Sequence, residues 1–275
     1  MIMKLGLIGF PVQHSKSPWI HQHFLDQSGL TGSYNLIEIE PDQFVAEINR
    51  LKTSDLTGFN ITIPYKEKII PFLDQISPEA EAIGAVNTVV CQNQKWYGHN
   101  TDGLGLITAL KVQFPDLFTG GKTVLLLGAG GASRGIYHAL LQENFSEIMI
   151  ANRTVERAQM LLKLNQTSIK GEAISFAEAE ERLAEFDLVI QTTSVGMSPD
   201  SDSRVIDLDR LKKDTVVSDI VYQPFWTSLL KEAKAHGGRV HHGHEMLIYQ
   251  AKLAFELWTQ QSVDAKPLLE RFNQD

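Results

Sequence analysis

The residues of this chain that could do chemistry fall in a few short runs. One is Gly58-Phe59-Asn60-Ile61-Thr62-Ile63-Pro64-Tyr65-Lys66. Phe59, Ile61 and Ile63 alternate with Asn60 and Thr62, the period of a strand with one apolar and one polar face. Asn60, Thr62 and Lys66 line up an amide, a hydroxyl and an ammonium, the groups a pocket for a small polyol acid needs. Pro64 is expected to stop the strand and open a helix to about Leu73. Lys66 would then lie at the positive end of that helix, which disfavours an ammonium and lowers its pKa. On this run alone a plainer reading stands beside the first: Asn60 and Thr62 face solvent, and Lys66 is one of 25 basic residues.

A second run, His14-Ser15-Lys16-Ser17-Pro18, places two hydroxyls two residues apart, on one side of an extended segment. Ser17 before Pro18 reads as an N-cap followed by proline at the first helical position. Ser15, Ser17 and the open N–H groups of the helix start suit a carboxylate. Capping alone is the plainer role of Ser17, and the two roles are compatible. Farther on, Asn100-Thr101-Asp102-Gly103 opens a helix expected to run through Phe114. A carboxylate at Asp102 is favoured there by the helix dipole, so a structural role is its plain alternative.

A third constellation is Gly128-Ala129-Gly130-Gly131-Ala132-Ser133. It lies between the apolar run Thr123–Leu127 and a helical pattern bearing Ile136, Ala139 and Leu140. Glycines in that context allow a tight turn and close approach of a pyrophosphate to a helix N-terminus. The next strand, about Ile148–Ile150, would carry Asp or Glu at its end if the ribose hydroxyls of NAD were read. Here it runs into Asn152-Arg153-Thr154-Val155-Glu156-Arg157. Thr154 reads as the N-cap, and Arg157 in the first turn opposes the helix dipole. An anion is therefore expected nearby, and the 2′-phosphate of NADP suits the gap. The alternative is a solvated arginine.

The elements that must position these groups alternate between strand and helix. Through residue 90 they predict an α/β domain with a mostly parallel sheet, and Gln92-Asn93-Gln94-Lys95 reads as a hairpin turn. From Thr123 the pattern is that of a Rossmann-type unit. His21 and His23 fall on opposite faces of a helix and cannot share a metal. His241, His242 and His244 lie in an expected loop with no carboxylate assured, so no metal site is expected.

With 275 residues, the chain has room for one large domain or two ordinary ones. A net charge of −8 argues against nucleic acid or an anionic membrane surface as partner. The one cysteine, Cys91, excludes an internal disulfide. No apolar run reaches membrane-spanning length, and the N-terminal run lacks a signal peptide's pattern, so a cytoplasmic location is expected.

Taken in order, Gly9–Pro18, Asn60–Lys66, Gly84–Thr88, Asn100–Gly103, Gly128–Ser133, Asn152–Arg157 and Gly243–Gln250 resemble the shikimate dehydrogenase family over essentially the whole chain. Phe10 stands where that family more often has Asn. The resemblance implies reversible, NADP-dependent reduction of 3-dehydroshikimate to shikimate in aromatic amino acid biosynthesis. It implies that Ser15 and Ser17 hold the carboxylate, and that Asn60, Thr62, Asn87, Asp102, Tyr222 and Gln250 bind the ring and its hydroxyls. It makes Lys66 and Asp102 the catalytic pair. Gly128, Ala129, Gly130, Gly131, Ala132, Asn152, Arg153, Thr154 and Arg157 would bind NADP, with Ile220 and Gly243 near the nicotinamide. Residues 1–103 with about 244–275 would form the substrate domain, and 104–243 the cofactor domain, in a monomer or homodimer. A quinate-oxidising or NAD-using relative and a non-catalytic sensor are the alternatives. The sensor would be favoured by loss of Lys66 or Asp102, and both are present.

Overall fold

The computed structural model describes residues 2–272. The chain divides into two compact units, one of residues 1–101 with 248–275 and one of residues 102–247. These limits fall two to four residues from the expected 103/104 and 243/244 boundaries.

In the first unit the order is β1 (Met3–Gly9), α1 (Ser17–Ser28), β2 (Gly32–Glu38), α2 (Phe44–Leu51), β3 (Gly58–Ile61), β4 (Gln75–Ile76), α3 (Pro78–Ile83), β5 (Thr88–Gln92) and β6 (Lys95–His99). The six strands form one sheet in the order β2-β1-β3-β5-β6-β4. β1 is parallel to β2 and β3, whereas β5 is antiparallel to both β3 and β6. β5 and β6 are joined by Asn93 and Gln94 at φ 52° and 60°. That pair of left-handed residues makes the type I′ turn whose twist matches a two-residue hairpin. Ile8, Phe44, Ile48, Phe59, Ile61, Tyr65 and Trp96 share the core beneath this sheet.

Local signals set several helix ends. Ser77 accepts the Ala80 N–H at 3.2 Å and caps α3. Gly29 and Gly84, at φ 64° and 71°, end α1 and α3 in the left-handed conformation that glycine takes without strain. Two expectations fail. β3 ends at Ile61, and residues 64–69 form turns rather than an α-helix, followed only by a short 3-10 turn at Ile70–Phe72. Ile63 is 67% exposed, outside the alternation that included it. The dipole argument for Lys66 therefore loses its basis.

The second unit continues with α4 (Asp102–Gln113), β7 (Lys122–Leu127), α5 (Gly131–Leu140), β8 (Phe145–Ala151), α6 (Val155–Leu162), β9 (Lys170–Ile174), α7 (Phe176–Glu181), β10 (Leu188–Gln191), β11 (Val216–Asp219), α8 (Ser228–Ala235) and β12 (Arg239–His241). α9 (Gly243–Thr259) carries the chain back into the first unit, which ends with α10 (Lys266–Phe272). The sheet order is β12-β11-β10-β7-β8-β9, and every pair is parallel. Both faces are covered, so its strands read as continuous apolar runs. Val124, Leu126, Ile148 and Ile150 join the core on one face with α4 and α5. Leu125, Leu127, Met149 and Val189 join the core on the other with α7 and α8.

α4 and α5 meet backbone to backbone at glycines. A Cβ on Gly103 would lie 2.0 Å from the Gly135 carbonyl oxygen and 2.6 Å from its carbon. Alanine is the better helix former by about 1 kcal/mol, but here the helices would have to part. Gly103→Ala is expected to lower the urea midpoint, with a stability loss of about 1–3 kcal/mol from overpacking. An unchanged or raised midpoint would show that the contact yields.

Candidate active site

In the first unit the polar row is built on β3 and the segments beside it. Asn60 is buried at 5% exposure, so its amide must be paired. Its Nδ2 donates to the Asn87 carbonyl oxygen at 3.1 Å and to Thr88 Oγ1 at 3.0 Å. Its Oδ1 accepts the Tyr34 hydroxyl at 2.7 Å. Both amide protons are thus committed, and the amide oxygen is engaged as an acceptor. Asn87 is buried too. Its Oδ1 accepts the Thr101 N–H at 2.8 Å and its Nδ2 donates to Thr101 Oγ1 at 3.0 Å. These bonds tie β3, the entry to β5 and the end of β6 into one rigid edge.

Lys66 is half-buried, and its backbone is held on both sides. Its carbonyl accepts the Val86 N–H at 2.8 Å. The preceding Tyr65 is fully buried, stacked on Phe44 at 4.2 Å, and donates its hydroxyl to the Ile39 carbonyl at 2.5 Å. Thr62 joins the row through its N–H, which donates to the Ile8 carbonyl at 2.9 Å.

Ser17 is the first residue of α1, with Lys16 in the cap position, so the expected N-cap role does not hold. Its hydroxyl instead accepts from Ser15 Oγ at 3.1 Å, and its N–H donates to the same Ser15 oxygen at 3.2 Å. The two hydroxyls lie side by side at a helix start, the arrangement suited to a carboxylate. Gln250 is half-buried in α9, in the same unit.

In the second unit the glycine loop joins β7 to α5. Gly128 has φ 110°, and a Cβ there would meet Thr192 Oγ1 at 2.7 Å, so conformation and packing both demand glycine. Gly130 and Gly131 differ: a Cβ on either meets nothing within 4 Å. The space above these glycines and the α5 N-terminus is open, the shape a pyrophosphate needs at a helix start. A hydroxyl relay holds the loop. Gly130 N–H donates to Ser133 Oγ at 3.0 Å, Ser133 Oγ pairs with Thr192 Oγ1 at 2.6 Å, and Thr192 Oγ1 donates to the Leu127 carbonyl at 2.7 Å. Each hydroxyl accepts once and donates once, so the relay is satisfied.

Beyond β8, Asn152 Nδ2 donates to the Thr154 carbonyl at 2.8 Å and shapes the turn into α6. Thr154 is the N-cap residue but makes no side-chain cap bond. Arg153 and Arg157 are exposed. Arg157 shares a pocket with Ala129, Arg134, Met160, Leu161 and Leu164. Arg134 was missed in the sequence, although an arginine in the first turns of α5 is the same signal that singled out Arg157. Two guanidiniums over an apolar floor suit the adenosine end of NADP with its 2′-phosphate.

Asp102 is buried at the first position of α4. Ile220 and Tyr222 follow β11, where buried Asp219 pins the loop. Its carboxylate accepts from the Val221 N–H at 3.0 Å, the Thr227 hydroxyl at 2.7 Å and Gln191 Nε2 at 3.2 Å. Gly243 lies against this loop, and a Cβ on it would come within 2.5 Å of the Ile220 and Val221 carbonyl oxygens.

The second unit is thus a dinucleotide-binding fold, and the first an α/β unit with a row of buried, orientated polar groups. Comparison with known proteins agrees. The family model described as shikimate dehydrogenase substrate binding domain matches residues 7–89. That of shikimate / quinate 5-dehydrogenase matches 111–221, and that of shikimate 5'-dehydrogenase C-terminal domain matches 243–271. A shikimate dehydrogenase (NADP(+)) of Oceanobacillus iheyensis is 51% identical over 96% of this chain and 95% of its own length. A Thermus thermophilus shikimate 5-dehydrogenase, solved in complex with NADP(H) and shikimate, superposes with a TM-score of 0.88 at 33% identity, covering 99% of each chain. A quinate dehydrogenase from Corynebacterium glutamicum, in complex with NAD, superposes with 0.89 at 30% identity, covering 99% of each chain. The chain belongs to the shikimate dehydrogenase family.

Two of the histidines near Gly243 have partners within the second unit. The group among the described residues whose ligand atoms come within 4.8 Å of one another is Asp209, Glu232 and His236, and Arg204 lies 3.1 Å from Glu232. His241 pairs with Ser218 Oγ at 2.9 Å, and His242 with the Phe225 carbonyl at 2.9 Å while stacking on that ring. The carboxylate absent from the sequence reading is Glu245, 3.7 Å from His241 Nε2. Burial lowers His241 to about 3 and His244 to about 4, and lowers His242 as well, so these rings are neutral at pH 7. Burial also raises Glu245 to about 7, partly opposed by the His242 N–H.

A folded pKa of about 7 against 4.5 makes the Glu245 contribution fully present below pH 4.5 and lost as pH rises through about 7. The histidines titrate the other way but are common to wild type and Glu245→Gln. The stability of Glu245→Gln relative to wild type is therefore expected to rise by about 1–3 kcal/mol between pH 5 and pH 8. Urea unfolding at the two pH values measures it, and a flat difference would contradict the burial of an ionisable carboxyl.

Proposed function

We infer that this protein is an NADP-dependent oxidoreductase that interconverts 3-dehydroshikimate and shikimate, a step of aromatic amino acid biosynthesis. The observation that carries the reading is the 51% identity, over 96% of the chain, to a relative named for this activity. The paired serines and the Asn60 row support it as a site for a hydroxylated ring acid. Residues 1–101 with 248–275 are assigned to the substrate and residues 102–247 to the cofactor. A small-molecule substrate and a cytoplasmic location go with this assignment. Among the described residues no helix is long and apolar enough to cross a membrane.

When bound, the nicotinamide cofactor supplies or accepts the hydride. Ser15 and Ser17 hold the carboxylate. Asn60, Thr62, Asn87, Asp102, Tyr222 and Gln250 orient the ring and its hydroxyls. Hydride addition to the ketone leaves an alkoxide that needs a proton, and Lys66 with Asp102 handle that proton. Gly128, Ala129, Gly130, Gly131 and Ala132 cradle the pyrophosphate. Asn152, Arg153, Thr154 and Arg157, joined by Arg134, hold the 2′-phosphate end, and Ile220 and Gly243 border the nicotinamide.

Steady-state kinetics with shikimate and quinate against NADP and NAD test the assignment. Preference for shikimate with NADP is expected, and preference for quinate with NAD would place the protein with the other branch of its family. Lys66→Ala is expected to lower kcat by about 10²–10⁴-fold with the shikimate KM nearly unchanged. A folded variant with near-normal kcat would remove Lys66 from the mechanism. Arg153→Ala with Arg157→Ala is expected to lower the NADP over NAD ratio of kcat/KM by about tenfold or more per arginine. Arg134→Ala is expected to act in the same direction. An unchanged ratio in these variants would show that the arginines do not read the phosphate.

A further inference from the structure

The Tyr34 phenol is a buried polar group that the mechanism does not use. Tyr34 stands on β2, and its hydroxyl reaches past β1 to donate to Asn60 Oδ1 on β3 at 2.7 Å. The same hydroxyl interacts with Ser17, while burial raises its pKa far above the ordinary phenol range. One neutral phenol thus touches a member of the serine pair and the amide at the centre of the polar row. Behind it lies His21, four residues after Ser17 and so on the same face of α1. The His21 ring stacks on Tyr34 at 4.3 Å and 8° and is fully buried, with Trp258 and Phe255 at its other sides. The His21 ring also meets the Asn60 side chain, although neither ring nitrogen makes a well-aligned hydrogen bond.

A phenol and an imidazole buried here each carry a desolvation cost that a phenylalanine would not. We propose that Tyr34, braced by the His21 ring, is a positioning residue. It holds the Ser17 hydroxyl and the Asn60 amide in one fixed relation, and so sets the spacing between the carboxylate and the ring hydroxyl of a hydroxylated ring acid. The proposal rests on the functional reading above. With both Nδ2 protons of Asn60 already committed, the Tyr34 hydroxyl fixes the amide from its oxygen side. Without the phenol, the amide keeps its two donor bonds, but Oδ1 loses its short bond and Ser17 loses a neighbour. Ground-state binding weakens, while the group that handles the proton is untouched.

Tyr34→Phe keeps the stack on His21 and removes only the hydroxyl. The expected result is a shikimate KM raised about tenfold, with kcat within about threefold and the KM for NADP unchanged. Phe255→Leu serves as the control, because it loosens the packing around the same His21 ring without touching Ser17 or Asn60. Its shikimate KM is expected to stay at the wild-type value even where its Tm falls as far as that of Tyr34→Phe. Wild-type turnover of shikimate tests the functional reading separately. Against an active wild type, an unchanged KM in Tyr34→Phe overturns the proposal. An equal KM rise in Phe255→Leu, or a loss confined to kcat, overturns it as well.

Discussion

A polar side chain inside a sheet has to be fully paired, and Asn60 imposes that requirement on the first unit. Its three bonds run to Tyr34, Asn87 and Thr88, so two separate stretches of chain must arrive in register around it. The antiparallel turn of β5 against β3 supplies two of those partners, and the parallel stack of β2 on β1 supplies the third. Asn87 then passes the constraint to Thr101, at the entrance to the helix that begins with Asp102. A low-dielectric surrounding strengthens each bond and penalises any that is missing, so the row is rigid before a ligand arrives. Preorganisation of that kind is what lets a site orient a polyol without rearrangement.

The second unit solves a different problem. Its strands are apolar on both faces, and side-chain packing contributes most of its stability. The Ser133–Thr192 relay and the Asp219 cluster gather near the ends of the strands and fix the loops there. The rigid sheet thereby presents flexible chemistry at one edge, as open α/β sheets do.

Much of this was legible in residue order. The glycine loop, the Ser77 cap, the left-handed glycines closing α1 and α3 and the Asn93-Gln94 hairpin are local, and local rules predict them. Residues 64–69 misled because a proline such as Pro64 suits the first turn of a helix. In the structure their backbone bonds go partly to distant segments, with Val86 donating to Lys66, and tertiary pairing overrides the pattern. Ser17 misled for a related reason. A serine before proline is a capping signal, but the Ser17 hydroxyl accepts from Ser15 instead, and its own N–H is taken by the same Ser15 oxygen. The contact of Tyr34 with Asn60 had no sequence signal, because it spans 26 residues and crosses an intervening strand. Arg134 did have a signal, which was overlooked behind the glycines that precede it.

The glycines of the loop are not held in place by one pressure. Gly128 is required by its backbone angle and by Thr192, so its replacement is a folding lesion, felt before any cofactor is present. Gly130 and Gly131 border open space and adopt backbone angles open to other residues. Side chains at those two positions would be compatible with the apo fold, and even favoured through a less disordered unfolded chain. Nothing in the chain itself therefore requires glycine at Gly130 or Gly131. Within a few residues, the same amino acid marks a place where the chain cannot tolerate a side chain and places where only its guest cannot.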